Sequence, residues 1–185
     1  MVKSVSKKII NSIATDKNYS KDELEQMEYA LVTISFELIK MISLIIIFSL
    51  FGYFNKVIII AMVMLVTKPF IGGYHEDTQF KCFIATMLLT TGILVLSLQC
   101  NLSFIGNCIL ILLSIFCIWN QAPVINPKMP ISRPQLIKKN RERGLGTSII
   151  LGAISIILYN YSGYCSLITW TILFHAVLMF NKRES

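Results

Sequence analysis

The chain has 185 residues, 55% of them hydrophobic and only 15% charged, with a mean hydropathy of +0.66. A soluble domain carries about 25% charged residues, and one core of this size cannot hide so much apolar surface. Disorder is excluded on the same grounds, and five scattered cysteines do not make a disulfide scaffold. The formal net charge of +7 is spread over short segments between apolar runs, which argues against nucleic acid as a partner and for a polytopic membrane protein whose basic loops face anionic lipid.

Residues 1–28 carry mixed charge and precede the first apolar run, so no cleavable signal peptide is expected to open the chain. Ile9, Ile10, Ile13 and Ala14 form one helical stripe beside Lys7, Lys8 and Lys17, the pattern of an interfacial amphipathic helix. Ser20 and Glu23 have the spacing of a capping box and predict a second helix running into the first span. That span is Phe36–Phe54, with Glu37 and Lys40 in its first turns. The second apolar run, Val57–Thr67, has 11 residues and reaches about 16 Å against a hydrocarbon core of about 30 Å. Lys56 and Lys68 can snorkel and lengthen it, but Pro69 disfavours helix just before it, so a short or re-entrant segment stays open beside a full span.

Four more runs follow: Cys82–Leu98, Leu102–Trp119, Thr147–Tyr161 and Tyr164–Phe180. Basic residues cluster before the first run, after the second (Lys68, Lys81), after the fourth (Lys128, Arg133, Lys138, Lys139, Arg141, Arg143) and in the tail (Lys182, Arg183). The alternate loops hold Lys56 alone, so both termini and the even-numbered loops are expected in the cytoplasm. The fold class expected is therefore all-α: a polytopic membrane helical bundle of about six hydrophobic segments, preceded by the amphipathic helix. It is read as one membrane-embedded domain over 1–185, with an interfacial segment at 1–28 and a basic loop at 120–146.

The segment 68–82, KPFIGGYHEDTQFKC, concentrates a Gly-Gly pair, one of the two histidines, a cysteine and two carboxylates on the expected cytosolic face. A free thiol has a pKa of about 8.5 and is mostly protonated at neutral pH; a neighbouring imidazole can take its proton and later return it to a leaving amine. His75 and Cys82 are suitable partners. On one continuous helix they would stand about 10.5 Å apart along the axis, too far for a dyad, so His75 must sit on a loop folding back over the third helix. Gly72 and Gly73 permit the bend, and Asp77 or Thr78 would cap that helix. Cys82 would then lie just beyond the first turn, near Lys81 and the positive end of the helix dipole. An unremarkable alternative remains: a small apolar residue starting a helix, and an interfacial histidine.

Gly72, Gly73, Tyr74 and His75 followed by Cys82 resemble the signature of the accessory gene regulator B (AgrB) family, bacterial membrane cysteine endopeptidases that mature quorum-sensing peptides. The likeness extends to chain length, segment order and a proline-bearing loop, Ala122–Pro130, before the basic stretch. It implies that Cys82 is the nucleophile and His75 its general base. The substrate implied is an AgrD-like precursor, cut to leave a thioester on Cys82 that a cysteine or serine of the peptide then attacks to close a thiolactone or lactone ring. No metal, nucleotide or organic cofactor is implied. The partners are the precursor peptide and the lipid bilayer, with a second copy of the chain, forming a homodimer, as a further candidate.

One position departs from the pattern: where the family has arginine seven residues before the histidine, this chain has Lys68, which keeps the charge but lacks the planar fork. Glu37, Glu76 and Asp77 are candidates for a carboxylate that orients His75, each otherwise a solvated charge. Lys138, Lys139, Arg141 and Arg143 either orient the chain or dock an acidic part of the substrate. His175 lies inside the last apolar run, where a neutral histidine bonded to a neighbouring helix is expected over a proton relay. Cys100, Cys108, Cys117 and Cys165 read as packing residues. The competing functions are a small transporter or permease component, with His175 as its mid-membrane polar group, and a non-catalytic membrane partner.

Overall fold

The computed structural model describes residues 6, 9, 10, 12, 19–72, 78–124, 134–160 and 163–180. The protein is an all-α membrane bundle of α1 (Lys21–Leu50), α2 (Phe54–Ile71), α3 (Gln79–Gln99), α4 (Phe104–Gln121), α5 (Pro134–Leu158) and α6 (Cys165–Leu178). Among the described residues the β-structure is a lone parallel bridge between Gly72 and Val124. The first four helices are each long and apolar enough to cross a bilayer, and α6 is a shorter apolar helix. The chain divides into two compact units, 1–46 and 47–185.

In the first unit, residues 6, 9, 10 and 12 are helical, with Ser6 and Ile10 buried and Ile9 and Ser12 exposed. The rest of the expected amphipathic stripe, Ile13 and Ala14, lies outside the described residues. The capping box forms as its spacing predicts: the Glu23 amide donates to Ser20 Oγ at 3.2 Å, and the Ser20 amide donates to Glu23 Oε2 at 3.1 Å. From there α1 runs unbroken into the apolar stretch. Lys40 is buried and tied to Glu37 by a 2.7 Å ion pair.

The second unit opens with the end of α1, where Gly52 takes φ +80°, a conformation that suits glycine. Its amide donates to the Ser49 carbonyl and that of Tyr53 to the Phe48 carbonyl, the Schellman pattern that turns the chain into α2. The short second run becomes one unbroken helix of 18 residues, with Lys56 and Lys68 near its two ends. Pro69 is accommodated in the last turn. Lacking an N–H, it forfeits only the bond to the Leu65 carbonyl, and the Gly72 amide still reaches the Lys68 carbonyl at 3.0 Å. The basic stretch expected as loop is also helical from Pro134, continuous with the fifth apolar run.

α6 is the hub of this unit: α2, α3, α4 and α5 all pack against it. It is buried nearly all round, from Cys165 through Thr169 and on to Thr171, Ile172, His175 and Ala176, as expected of a helix without a solvent or lipid face. Most of its buried polar side chains are paired within the bundle, the Trp170 indole N–H being the exception among the described residues. Thr169 donates to Asn107 Oδ1 of α4 at 2.6 Å and shares a 2.8 Å hydrogen bond with Ser155 of α5. Ser155 also lies 2.9 Å from the Cys165 carbonyl, and Thr171 bonds the Leu167 carbonyl. In an apolar medium each such group left unpaired would cost several kcal/mol, of order ~2–7.

α5 buries Gly144, Ser148, Gly152 and Ser155, one stripe of small residues. Such stripes let helices approach closely where lipid supplies no hydrophobic drive between them. A Cβ at Gly152 would lie 2.6 Å from Cγ2 of Ile111, whereas at Gly146 nothing stands within 4 Å. Gly152→Ala should therefore lower thermal stability in detergent by about 1–3 kcal/mol, through overpacking against α4. Gly146→Ala should leave stability unchanged or raise it by up to about 1 kcal/mol. Thermal unfolding of the two purified variants checks the contrast.

Candidate active site

Cys82 is placed by its local sequence. Thr78 caps α3 in an extended conformation, its hydroxyl accepting from the Lys81 amide at 3.3 Å, and the Cys82 amide closes the first helical turn onto the Thr78 carbonyl at 3.0 Å. Of the two capping candidates, the helix uses Thr78. Cys82 is half-buried, with Phe80 and Lys81 exposed beside it. Thr86, Thr90 and Ile93, all buried, follow it at intervals of four, four and three residues, so Cys82 heads the inward stripe of α3. The Thr86 and Thr90 hydroxyls return to the carbonyls four residues earlier, at 2.8 Å each. The thiol is thus aligned with the interior of the bundle and not with the lipid-facing side.

On the other side of the 73–77 connection, the end of α2 is clasped by three segments. Gly72 has φ +75° and faces Val124, whose amide donates to the Ile71 carbonyl at 2.9 Å. A Cβ at Gly72 would collide with the Val124 carbonyl oxygen. Gly144 of α5 presses its backbone on the same turn; a Cβ there would stand 3.2 Å from Ile71 Cγ1 and 3.4 Å from the Phe70 carbonyl carbon. Arg143 lies over the Phe70 ring, 5.8 Å from its centre. Arg141 reaches back to α4 and donates to the Trp119 carbonyl at 2.8 Å, satisfying a group that the helix end leaves open.

The residues singled out from sequence fall into three groups. Lys68, Gly72, Arg141 and Arg143 belong to the clasped region where α2 and α4 end, and Cys82 heads the inward stripe of α3. Lys138 and Lys139 are exposed on α5, while Glu37 is ion-paired to Lys40 in the other unit. Gly73, His75, Glu76 and Asp77 lie outside the described residues.

Val124, Phe70 and Gly144 were missed as parts of this region. Gly144 left a trace in the regular spacing of small residues along α5; Val124 and Phe70 left none. His175 is bonded to a neighbouring helix, as expected: its Nδ1 lies 2.8 Å from Thr67 Oγ1 of α2.

Gly72→Ala should abolish function while leaving the chain in the membrane. A left-handed backbone strains any residue with a Cβ by about 1–2 kcal/mol, and here the methyl group also meets a backbone carbonyl that cannot swing aside. The activity of the variant, measured at matched membrane abundance, checks this.

The family model for accessory gene regulator B matches residues 6–179 of the chain. AgrB-like protein 1 of Clostridium perfringens (strain 13 / Type A) is 44% identical over 178 residues, covering 96% of this chain and 95% of that protein. AgrB-like protein 2 of the same strain is 24% identical, and an AgrB-like protein of strain SM101 is 26% identical, each over 89% of this chain and 81% of its own length. No solved structure matches the chain. The multi-span bundle, the near full-length match and the 44% identity together make this chain a member of the AgrB family, the membrane proteins of quorum-sensing peptide processing.

Proposed function

We propose that the chain is a cysteine endopeptidase of the bacterial cell membrane, with Cys82 as nucleophile and His75 as general base. Both termini and the clasped end of the bundle face the cytoplasm in this reading. The observation that supports it is the position of Cys82, half-buried at the head of the inward stripe of α3, one turn inside a capped helix start. Two residues separate His75 from the Thr78 cap, and the three Cα–Cα steps reach about 11 Å, which suffices to bring an imidazole over the first turn of α3.

The chemistry follows from these groups. His75 takes the Cys82 proton, and the thiolate sulfur bonds to a carbonyl carbon of an AgrD-like precursor. The carbon–nitrogen bond then breaks, and the imidazolium returns the proton to the leaving amine, freeing the C-terminal part of the peptide. A thiol or hydroxyl within the retained part attacks the thioester and expels the Cys82 thiolate, closing a thiolactone or lactone ring. The thioester keeps its acyl reactivity only where water is excluded, and a thiol turned toward the bundle interior meets that need. Asp77 is the favoured orienting carboxylate, since Glu37 is committed to Lys40. Lys68 supplies a single charge where the family has a guanidinium. The transporter reading rests on His175, and that residue is hydrogen-bonded to Thr67.

Among the exposed basic residues, Arg141 is engaged with the Trp119 carbonyl and Arg143 with the Phe70 ring, which leaves Lys138 and Lys139 as the pair for an acidic stretch of the peptide. Replacing both lysines with glutamine should slow processing a few-fold at unchanged membrane abundance, and an unchanged rate would remove the docking role. Cys82→Ser and His75→Ala should each lower maturation by at least about a thousandfold. Alkylation of Cys82, read by mass spectrometry across pH, checks the pair without the cognate peptide. Enhanced labelling near neutral pH that vanishes in His75→Ala supports it; an ordinary thiol profile in both chains removes it.

A further inference from the structure

We propose that His175 is a positioning residue of the peptidase site, acting through Thr67; the proposal rests on the reading of Cys82 and His75 as the catalytic pair. His175 is 6% exposed and Thr67 is fully buried. The Thr67 oxygen lies 2.7 Å from the Val63 carbonyl and 2.8 Å from His175 Nδ1. With the single hydroxyl proton on the Val63 carbonyl, the imidazole donates from Nδ1. The surroundings are apolar: Val63 and Ile71 of α2, Ile172 and Ala176 of α6, and Met179 just beyond it.

A polar pair inside an apolar cluster acts as a register mark. Apolar side chains tolerate small sliding of one helix on another, whereas a hydroxyl and an imidazole that lose each other leave two buried polar groups unsatisfied. The α2–α6 contact therefore has one axial setting. Thr67 stands one turn before Ile71, whose carbonyl holds Val124, so the setting passes directly to the point where the Gly72 segment leaves α2.

The neighbouring residue on α6 meets the helix that carries the thiol. A Cβ at Gly92 of α3, ten residues beyond Cys82, would stand 4.0 Å from Phe174 Cζ. Two consecutive residues of one enclosed helix thus contact the two helices whose ends must meet: His175 holds the helix leading into the His75 segment, and Phe174 packs on the helix of the thiol. Neither touches the reacting atoms.

The test compares Cys82 alkylation in the full chain, in membranes, at near-neutral and at alkaline pH, where an ordinary thiol is ionised without help. His175→Leu removes the donor, Thr67→Val removes the acceptor from the other side, and His175→Asn keeps a donor near the Nδ1 position. The expected result is a roughly tenfold loss of labelling near neutral pH in His175→Leu and Thr67→Val. Labelling at alkaline pH stays at the wild-type rate, and His175→Asn recovers most of the neutral-pH loss.

A general loosening of the bundle would instead change labelling at both pH values and in all three variants alike, and that outcome overturns the proposal. So does a wild-type profile in His175→Leu and Thr67→Val. Should the leucine variant fail to accumulate, Thr67→Val carries the test alone. His75→Ala, run in parallel, separates the two levels. If it flattens the profile and the His175 and Thr67 variants do not, only the positioning role fails; if it leaves the profile unchanged, the dyad fails and the positioning role with it.

Discussion

The enclosure of α6 constrains everything around it. A helix in the middle of a membrane bundle can use neither water nor lipid headgroups, so its hydroxyls and its imidazole take partners from other helices or from its own backbone, and only the Trp170 indole N–H, among the described residues, goes without. Asn107 and Ser155 meet Thr169, Thr67 meets His175, and the Thr171 hydroxyl turns back on its own helix. These pairings fix where α2, α4 and α5 stand against α6, and the apolar cluster of Ile71, Ile118, Ile172 and Met179 fills the space between them. The small residues of α5 complete the arrangement by letting that helix lie against α2 and α4 at backbone distance.

The functional end of the molecule inherits this rigidity. Gly72 is held by Val124 and by the backbone of Gly144, so the chain leaves α2 from a fixed point. On the far side of residues 73–77, Thr78 fixes the start of α3 and hence the position of Cys82. The proposed base His75 belongs to the stretch between these two fixed ends. The proline-bearing segment after α4 gains a role the sequence did not advertise: its Val124 is the backbone partner of the glycine turn.

Legibility in the sequence followed the range of the interactions involved. The capping box at Ser20 and Glu23, the cap at Thr78, and the position of Cys82 just past the first turn depend on neighbours a few residues apart, and they could be read directly. The apolar runs gave the helices, although hydropathy understated α2, because Lys56, Lys68 and Pro69 interrupt the pattern without interrupting the helix. Position along the chain also hid the division of labour among the basic residues. Arg141 and Arg143 engage Trp119 and Phe70, partners far away in sequence, and nothing in the charge run separates them from Lys138 and Lys139. The clasp at Gly72 was invisible for the same reason: a glycine pair announces a bend but not the carbonyl that forbids a side chain there.

The brevity of α6 carries one more consequence. Its 14 residues rise about 21 Å, well short of a hydrocarbon core of about 30 Å. Against lipid such a helix would pull the bilayer thin or tilt its neighbours to hide the mismatch. Largely enclosed by α2 to α5, it offers little surface to acyl chains, and matching the membrane is left to longer helices such as α3, with 21 residues. The depth at which α6 meets α2 and α3 is then set by side chains inside the bundle. Acyl-chain length can vary while the register of α2 on α6 stays the same.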